Sequence, residues 1–435
     1  MSSTFSSLQH RPYRLWASGA IVSNVGTWMQ RVAQDWLVLT ELTDESGTAV
    51  GITTGLQFGP ILLLAPVAGT LADRFSRRRV LLCTQTAMAL LGLGLGALVL
   101  SGAAQLWHVY GFALLLGVAT AIDGPARQTF VADLVPREDL PNAVGLNSAS
   151  FNAARLIGPG VAGLLIALWG TGPVFLLNAL TFAAPVAVLL RIRPPLEPER
   201  PARATGEPPP PGSGGTREAL RYLRTRPDLL AVLTIIGVVG TLGLNYQLTT
   251  ALMARIAFGE GPEKYGLLGS IMAIGSLAGA LLAARRDRPR LRLVVGAAVA
   301  FGISATVAAV MPTYTLFAVA LVPVGLSALT LMTAANATIQ LGTEPAMRGR
   351  VMGVYMALFQ GGTVVGGPLV GWIGEVVGPR WSILVGSLSA LAVAAFASAL
   401  LIRRQRLTVR YRLRDSPHLL VVPAAGRDER DTAAA

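Results

Sequence analysis

The chain has 435 residues, 52% hydrophobic and 14% charged, with a net charge of +13 and one cysteine. Soluble domains carry about 25% charged residues, so cutting this chain into ordinary soluble domains would leave apolar faces that water cannot solvate. Collagen, disulfide scaffolds and intrinsic disorder are excluded by the lack of a glycine period, of cysteines and of polarity. The basic residues stand in clusters between long apolar runs, which argues against a nucleic-acid face and for a membrane orientation signal. The first fifteen residues are polar, with Arg11 and Arg14, and the apolar run that follows is too long for a secretory signal.

A bilayer core about 30 Å thick takes roughly 20 apolar residues per helix. The first such run, about 15–40, is unusual in carrying Asn24, Trp28, Arg31 and Asp35. At about 100° per residue these fall on one face, and such a face is expected to line a protein cavity, because intramembrane charge is costly. Arg31 and Asp35 are four apart, a spacing that allows pairing. Asp35 is placed roughly 8 Å from the outer end at about 1.5 Å per residue, within reach of external protons. Two readings stay open: a titrating pair that couples transport to protons, or a static ion pair that locks the helix.

The next runs are about 48–72, 79–101, 104–131, 139–168 and 172–191. Small residues four apart (Gly55 and Gly59, Gly92 and Gly96) allow close helix approach. Asp123 and Arg127 lie at the inner end of the fourth run, suited to a cytoplasmic gate. Arg155 lies deep in the fifth, in line with Ser148, Asn152 and Pro159. A buried Arg needs an anion or several carbonyls; it could hold an anionic substrate group or pair with a carboxylate on another helix. Residues 194–216 are rich in Pro, Gly and Ser and read as a flexible linker.

Six more runs follow, about 228–256, 262–284, 290–311, 313–341, 347–377 and 380–403. Their polar groups are uncharged. Thr234, Thr241 and Asn245 share one face, Thr333, Asn336 and Gln340 a second, and Met352, Met356, Phe359 and Thr363 a third. Together they suggest a largely apolar cavity with a few hydrogen-bonding spots, fit for amphipathic organic molecules. Three histidines and one cysteine offer no metal cluster, and no GxxxxGK[ST] phosphate loop is present, so neither cofactor nor ATP is expected.

The loops alternate in charge. One set carries almost all the arginines, and its partner set holds only Arg255, Lys264 and Arg380. This places both termini and the central linker in the cytoplasm. The halves echo each other at an offset of about 210 residues, Gly158-Pro159 matching Gly367-Pro368 and Pro136 matching Pro345. Parallel repeats of this kind build transporters with a site between two bundles near the midplane. The expected fold is therefore all-α and integral to the membrane, with twelve transmembrane helices in two six-helix bundles. The divisions are an N-terminus 1–14, a bundle 15–192, a linker 193–227, a bundle 228–403 and a tail 404–435, with residues 415–435 expected to be unstructured.

The string Gly69-Thr-Leu-Ala-Asp73-Arg74-Phe-Ser76-Arg77-Arg78-Arg79 resembles the major facilitator superfamily signature G-x-L-A-D-R-x-G-R-R-[KR], with Ser76 in place of the second Gly. The resemblance implies a cytoplasmic gate made of Gly69, Asp73, Arg74 and Arg77. In it Asp73 meets the inner end of the eleventh helix, and Arg77 pairs with an acid on the fourth, here Asp123. Gly145, Ala154, Gly158, Pro159, Ala162 and Gly163 partly match the antiporter motif G-x8-G-x3-G-P-x2-G-G, which implies close helix packing and a bend.

The segments Gly26–Gln34, Ala121–Gln128, Val135–Val144 and Asn147–Asn152 look like the transmembrane secretion effector branch, similar to the enterobactin exporter and the macrolide efflux proteins. This resemblance implies no enzymatic activity. It implies a monomeric carrier in the bacterial inner membrane that exports a siderophore, antibiotic or drug in exchange for protons. An importer or lipid translocator of the same fold, or a non-transporting scaffold or sensor, remains as an alternative.

Overall fold

A computed structural model describes residues 3–192, 215–284, 291–405, 407–411 and 419–423, with side chains described for 5–65, 74–192, 217–283 and 291–400. The first half contains α1 (Arg11–Trp36), α2 (Gly47–Arg74), α3 (Arg77–Leu100), α4 (Leu106–Phe130), α5 (Leu140–Trp169), and a sixth rod in two pieces, α6 (Thr171–Thr181) and α7 (Ala183–Arg191). A short amphipathic helix α8 (Gly215–Thr225) leads to a seventh rod, also in two pieces, α9 (Pro227–Leu242) and α10 (Tyr246–Leu252). The last five are α11 (Pro262–Ala284), α12 (Leu291–Val310), α13 (Tyr314–Gly342), α14 (Pro345–Val376) and α15 (Pro379–Gln405). Two short strands, β1 (Leu407–Tyr411) and β2 (Leu419–Pro423), pair antiparallel in the tail, where residues 415–435 were expected to carry no structure.

Among the described residues, eleven helical spans are long and apolar enough to cross a membrane. α1 has the length, at 26 residues, and its polar stripe keeps it out of that set. Local signals explain most boundaries. Prolines open α9, α11, α14 and α15, where the missing N–H would have had no helical partner in any case. Ser76, the one departure from the loop signature, caps α3 by accepting from the Arg79 N–H at 3.4 Å. Thr313 caps α13 in the same way. The tight turns after α5 and α14 each place a glycine at positive φ, Gly170 at 79° and Gly378 at 121°, where a Cβ would be strained.

The repeat is visible in a further detail: α1 and α10 both run on into a π turn, Leu37–Glu41 and Met253–Ala257. π turns are rare and mark places where a helix is re-aimed.

α1 packs on α5 and α6, α2 on α4, and α3 on α4 and α6. In the second half α11 packs on α13, α12 on α13 and α15, and α9 on α14 and α15. The two groups meet along α2 with α14 and α5 with α11. We call the end bearing residues 192 and 215 the linker side and the opposite end the far side.

Candidate functional site

The two contacting helix pairs are built on glycine, and chiefly in their far halves. A Cβ added at Gly51 would collide with the Gly367 carbonyl oxygen, and one at Gly371 with that of Gly47. On the other seam, a Cβ at Gly266 would collide with the Pro159 carbonyl oxygen and one at Gly163 with that of Pro262. Backbones this close exclude water and lipid, and only glycine permits them. Of the helix-packing residues expected from sequence, Gly158, Gly163 and Gly367 stand at such crossings, Gly158 against Trp28 of α1. Gly145 instead faces open space.

Pro159 removes a backbone N–H inside α5 and opens the turn around it. Ser270 of α11 fills the opening: its hydroxyl donates to the Leu156 carbonyl at 2.6 Å and accepts from the Gly160 N–H at 3.1 Å. Those two groups would otherwise bond to each other in a regular helix. The proline break therefore becomes a polar joint between the two halves.

Other polar contacts seal the far side. Glu375 at the end of α14 accepts from the Ser46 hydroxyl at 2.8 Å and the Thr48 N–H at 3.0 Å, placing a negative charge at the start of α2, where the helix dipole favours it. Arg255 pairs with Glu45 at 2.8 Å; both are well solvated, so the pair adds little. Deeper in, Tyr265 of α11 donates to Asp35 at 3.1 Å, and its ring stacks on Trp36 with centroids 5.8 Å apart.

Among the described residues, the linker-side glycines of α2, α5 and α14 make no such contact. A Cβ at Gly59, Gly145, Gly349 or Gly353 meets nothing within 4 Å. Between the seams lies a cavity of about 390 Å³, bounded by residues of both halves. Its walls include Trp28, Arg31, Arg155, Asn245 and Phe359 from the expected set, together with Phe58, Phe151, Tyr246, Tyr265, Met272 and Gln360. Phe151, in the linker-side half of α5, is 47% exposed. The volume falls within the range of small-molecule sites.

The remaining expected residues go elsewhere. Asn24 does not reach the cavity; it accepts from Arg127 at 3.1 Å. Arg127 in turn holds Asp123 at 2.9 Å, and Thr84 and Gln85 each donate to Asp123 at 2.7 Å. Asp123 is thus satisfied within the first half, and Arg77 pairs with Asp133 instead of Asp123. The reason is that α4 ends at Phe130, and a 3-10 turn at Val131–Asp133 carries Asp133 to the start of α3. Arg78 caps the last carbonyls of α7, those of Leu189 and Leu190. Arg74 is exposed, and the side chains of Gly69 and Asp73 lie outside the described residues.

Asn152 donates to the Ser148 carbonyl at 2.9 Å, Thr241 to Gly237 and Thr333 to Leu329. These are returns to the helix's own backbone, which satisfy the group locally. Asn336 accepts from Gln340 at 2.6 Å near the linker-side end of α13, and Met356 is 48% exposed on α14. None of Asn152, Thr241, Thr333, Asn336, Gln340 and Met356 lines the cavity. Pro368 stands beside Gly51 at the α2 seam.

Two expectations about the first helix change. Arg31 and Asp35 form no ion pair within 4 Å, and Asp35, only 5% exposed, is enclosed at the far side instead of lying open to it. Arg31 turns to aromatic rings, its guanidinium 4.9 Å from the Trp28 centroid and 5.3 Å from that of Phe58. Tyr265, which sequence reasoning missed, stands between the cavity and Asp35. Its only sequence signal is a lone tyrosine just inside the eighth apolar run.

The profile of transmembrane secretion effectors matches residues 2–415. The multidrug efflux pump Tap of Mycolicibacterium fortuitum is 27% identical over 89% of this chain and 95% of its own length. Macrolide efflux protein A of Streptococcus pyogenes is 24% identical over 86% and 92%. The staphyloferrin A transporter of Staphylococcus aureus is 31% identical, and that match spans 40% of this chain and 43% of the relative.

Among solved structures, an inward-facing bacterial homologue of the human lysosomal transporter Spinster superposes with a TM-score of 0.66 at 15% identity, covering 89% of this chain and 94% of that one. A D-xylose–proton symporter superposes with 0.68 at 12%, covering 88% and 96%. The helical rods, the seam-bounded cavity and the whole-length profile agree: this chain belongs to the transmembrane secretion effector family of the major facilitator superfamily, a multi-pass membrane transporter of small molecules and not an enzyme.

Proposed function

We propose that the protein exports small amphipathic organic molecules, such as a siderophore, antibiotic or drug, across the bacterial inner membrane by alternating access in exchange for protons. Counting α1 as the twelfth span, residues 15–192 and 228–403 are the two rocking bundles. Residues 1–14, the linker 193–227 and the tail 404–435 are cytoplasmic, as the arginine-rich loops argue. The linker side is then the cytoplasmic side, and the conformation described is open to the cytoplasm.

The observation that carries this reading is a cavity walled by both halves and sealed at the far side, with a carboxylate built into the seal. Asp35 contacts Tyr265, and Tyr265 lines the cavity, so a change at either reaches the other through one hydrogen bond. When the far side opens, Asp35 meets the external medium and takes up a proton. When it closes, the proton is released toward the cytoplasm. The efflux names of the two relatives matched over most of their length support the outward direction.

The test is transport in inverted membrane vesicles containing the protein, given a panel of fluorescent amphipathic dyes that are anionic, neutral or cationic. Acidifying the vesicle interior is expected to drive accumulation of at least one dye class, and a protonophore is expected to collapse it. Absence of gradient-dependent accumulation across the whole panel would contradict the reading.

A further inference from the structure

The cavity carries two guanidinium groups, and no acid is among the residues that line it. Arg31 and Arg155 both lie against the ring of Trp28, their guanidinium carbons 4.9 and 5.7 Å from its centroid. Both line the cavity, and among the described residues neither forms an ion pair within 4 Å. Arg31 Nε is buried with no hydrogen-bond partner. Asp35, one turn along α1, acts on Arg31 through space but lies beyond ion-pair distance and accepts from Tyr265, and Asp123 is held by Arg127, Thr84 and Gln85.

An aromatic face offers a cation partial compensation, but Arg31 and Arg155 share the Trp28 ring, and only Arg31 has a second, Phe58. A buried donor left without an acceptor is costly, and a guanidinium is shaped to meet a carboxylate with two parallel bonds. Across the cavity, Asn245 donates to the Thr241 carbonyl at 2.7 Å and leaves its own Oδ1 buried without a donor. Much of the rest of the wall is apolar or aromatic, including Phe58, Phe151, Phe359 and Met272, with Thr54, Gln247, Gln360 and Thr363 among its uncharged polar groups.

We propose that the substrate is an amphipathic organic anion, whose carboxylate is received by Arg31 and Arg155 beside Trp28 and whose own hydroxyl or amide donor reaches Asn245 Oδ1. This rests on the transporter reading above and adds the charge class of the cargo. The apolar body of the ligand lies against the aromatic wall, and the anionic group supplies the charge that the two guanidinium groups lack.

The test is equilibrium binding to the full chain in nanodiscs, using pyrenebutyrate and its neutral alcohol, pyrenebutanol. The two probes share the pyrene body and chain and differ in the terminal group. Wild type is expected to bind the carboxylate roughly tenfold or more tighter than the alcohol. The double variant Arg31→Gln/Arg155→Gln is expected to lose that preference while still binding the alcohol, which also reports that its cavity is intact. Arg31→Lys/Arg155→Lys is expected to keep part of the preference, since the charge remains and the two-pronged geometry is lost. Equal binding of the two probes to wild type, no binding of the carboxylate, or a preference that survives in the Gln variant would overturn the proposal. Dye transport in the inverted-vesicle assay is read separately: transport of neutral or cationic dyes without a carboxylate preference would leave the export reading standing and remove this one.

Discussion

Asp35→Asn is expected to reduce gradient-driven export to the rate seen without a pH gradient, while downhill movement of the same dye persists. The amide carbonyl can still accept from Tyr265, so the seal in which Asp35 sits, with Trp36 stacked on Tyr265, has no geometric reason to open. What disappears is a group that can hold and release a proton, and ionisable groups inside a membrane span mark such relays. Tyr265→Phe makes the complementary change: the ring and its stacking on Trp36 remain, and the donor to Asp35 is lost. We expect a partial loss of coupling there. Both effects are read in the same vesicles, as dye accumulation against the size of the imposed gradient. Full gradient-driven export by Asp35→Asn would exclude this residue as the coupling acid.

The second large effect is expected at the α2–α14 seam. Gly51→Val puts a branched side chain where the Gly367 carbonyl already stands. Overpacking of a close contact costs about 1–3 kcal/mol, and about 1.4 kcal/mol shifts an equilibrium tenfold. The far-side-closed state should therefore lose population by roughly ten- to hundredfold, and transport should fall with it because the cycle passes through that state. Gly266→Val should act alike at the α5–α11 seam, where it meets the Pro159 carbonyl. The control is Gly111→Val on α4, where a Cβ meets nothing within 4 Å. Labelling of a far-side cysteine by an impermeant maleimide is expected to rise in the two seam variants and stay at the wild-type level in the control. Equal transport in all three would show that the seams do not govern access.

Much of this architecture was legible in the sequence because apolar runs and glycine spacings act locally or along one helix. The exceptions have physical reasons. Asn24, Trp28, Arg31 and Asp35 do form a stripe, but α1 passes through three environments along its length. Asn24 enters a buried network with Arg127 and Asp123, Trp28 and Arg31 line the cavity, and Asp35 sits in the far seal. Helical phase tells which residues share a face and says nothing about what that face meets at each level.

The pairing of Arg77 was misplaced for a related reason. The 3-10 turn after Phe130 is a tertiary outcome, and it decides that Asp133 and not Asp123 reaches the start of α3. Ser270 and Tyr265 were missed because each is a single polar residue in an otherwise apolar run, and its meaning comes from a partner helix: the broken turn at Pro159 for one, Asp35 for the other. The breaks between α6 and α7 and between α9 and α10, and the π turns at 37–41 and 253–257, had no local signature strong enough to read. The second-half threonines were visible as polar groups, but a hydroxyl that returns to its own backbone needs no cavity.

If one cavity is exposed to the two sides in turn, spin-label distances measured at both ends will show it. With the exposed Cys83 replaced by Ser, one label pair at Asp44→Cys and Val377→Cys spans the far side, and a second at Arg137→Cys and Arg348→Cys spans the linker side; all four positions are exposed. On acidification, and on introducing Gly51→Val, the two distance distributions are expected to move in opposite senses, one pair separating as the other closes. Distances that move together, or a far-side pair that stays fixed under every condition while transport proceeds, would contradict the account.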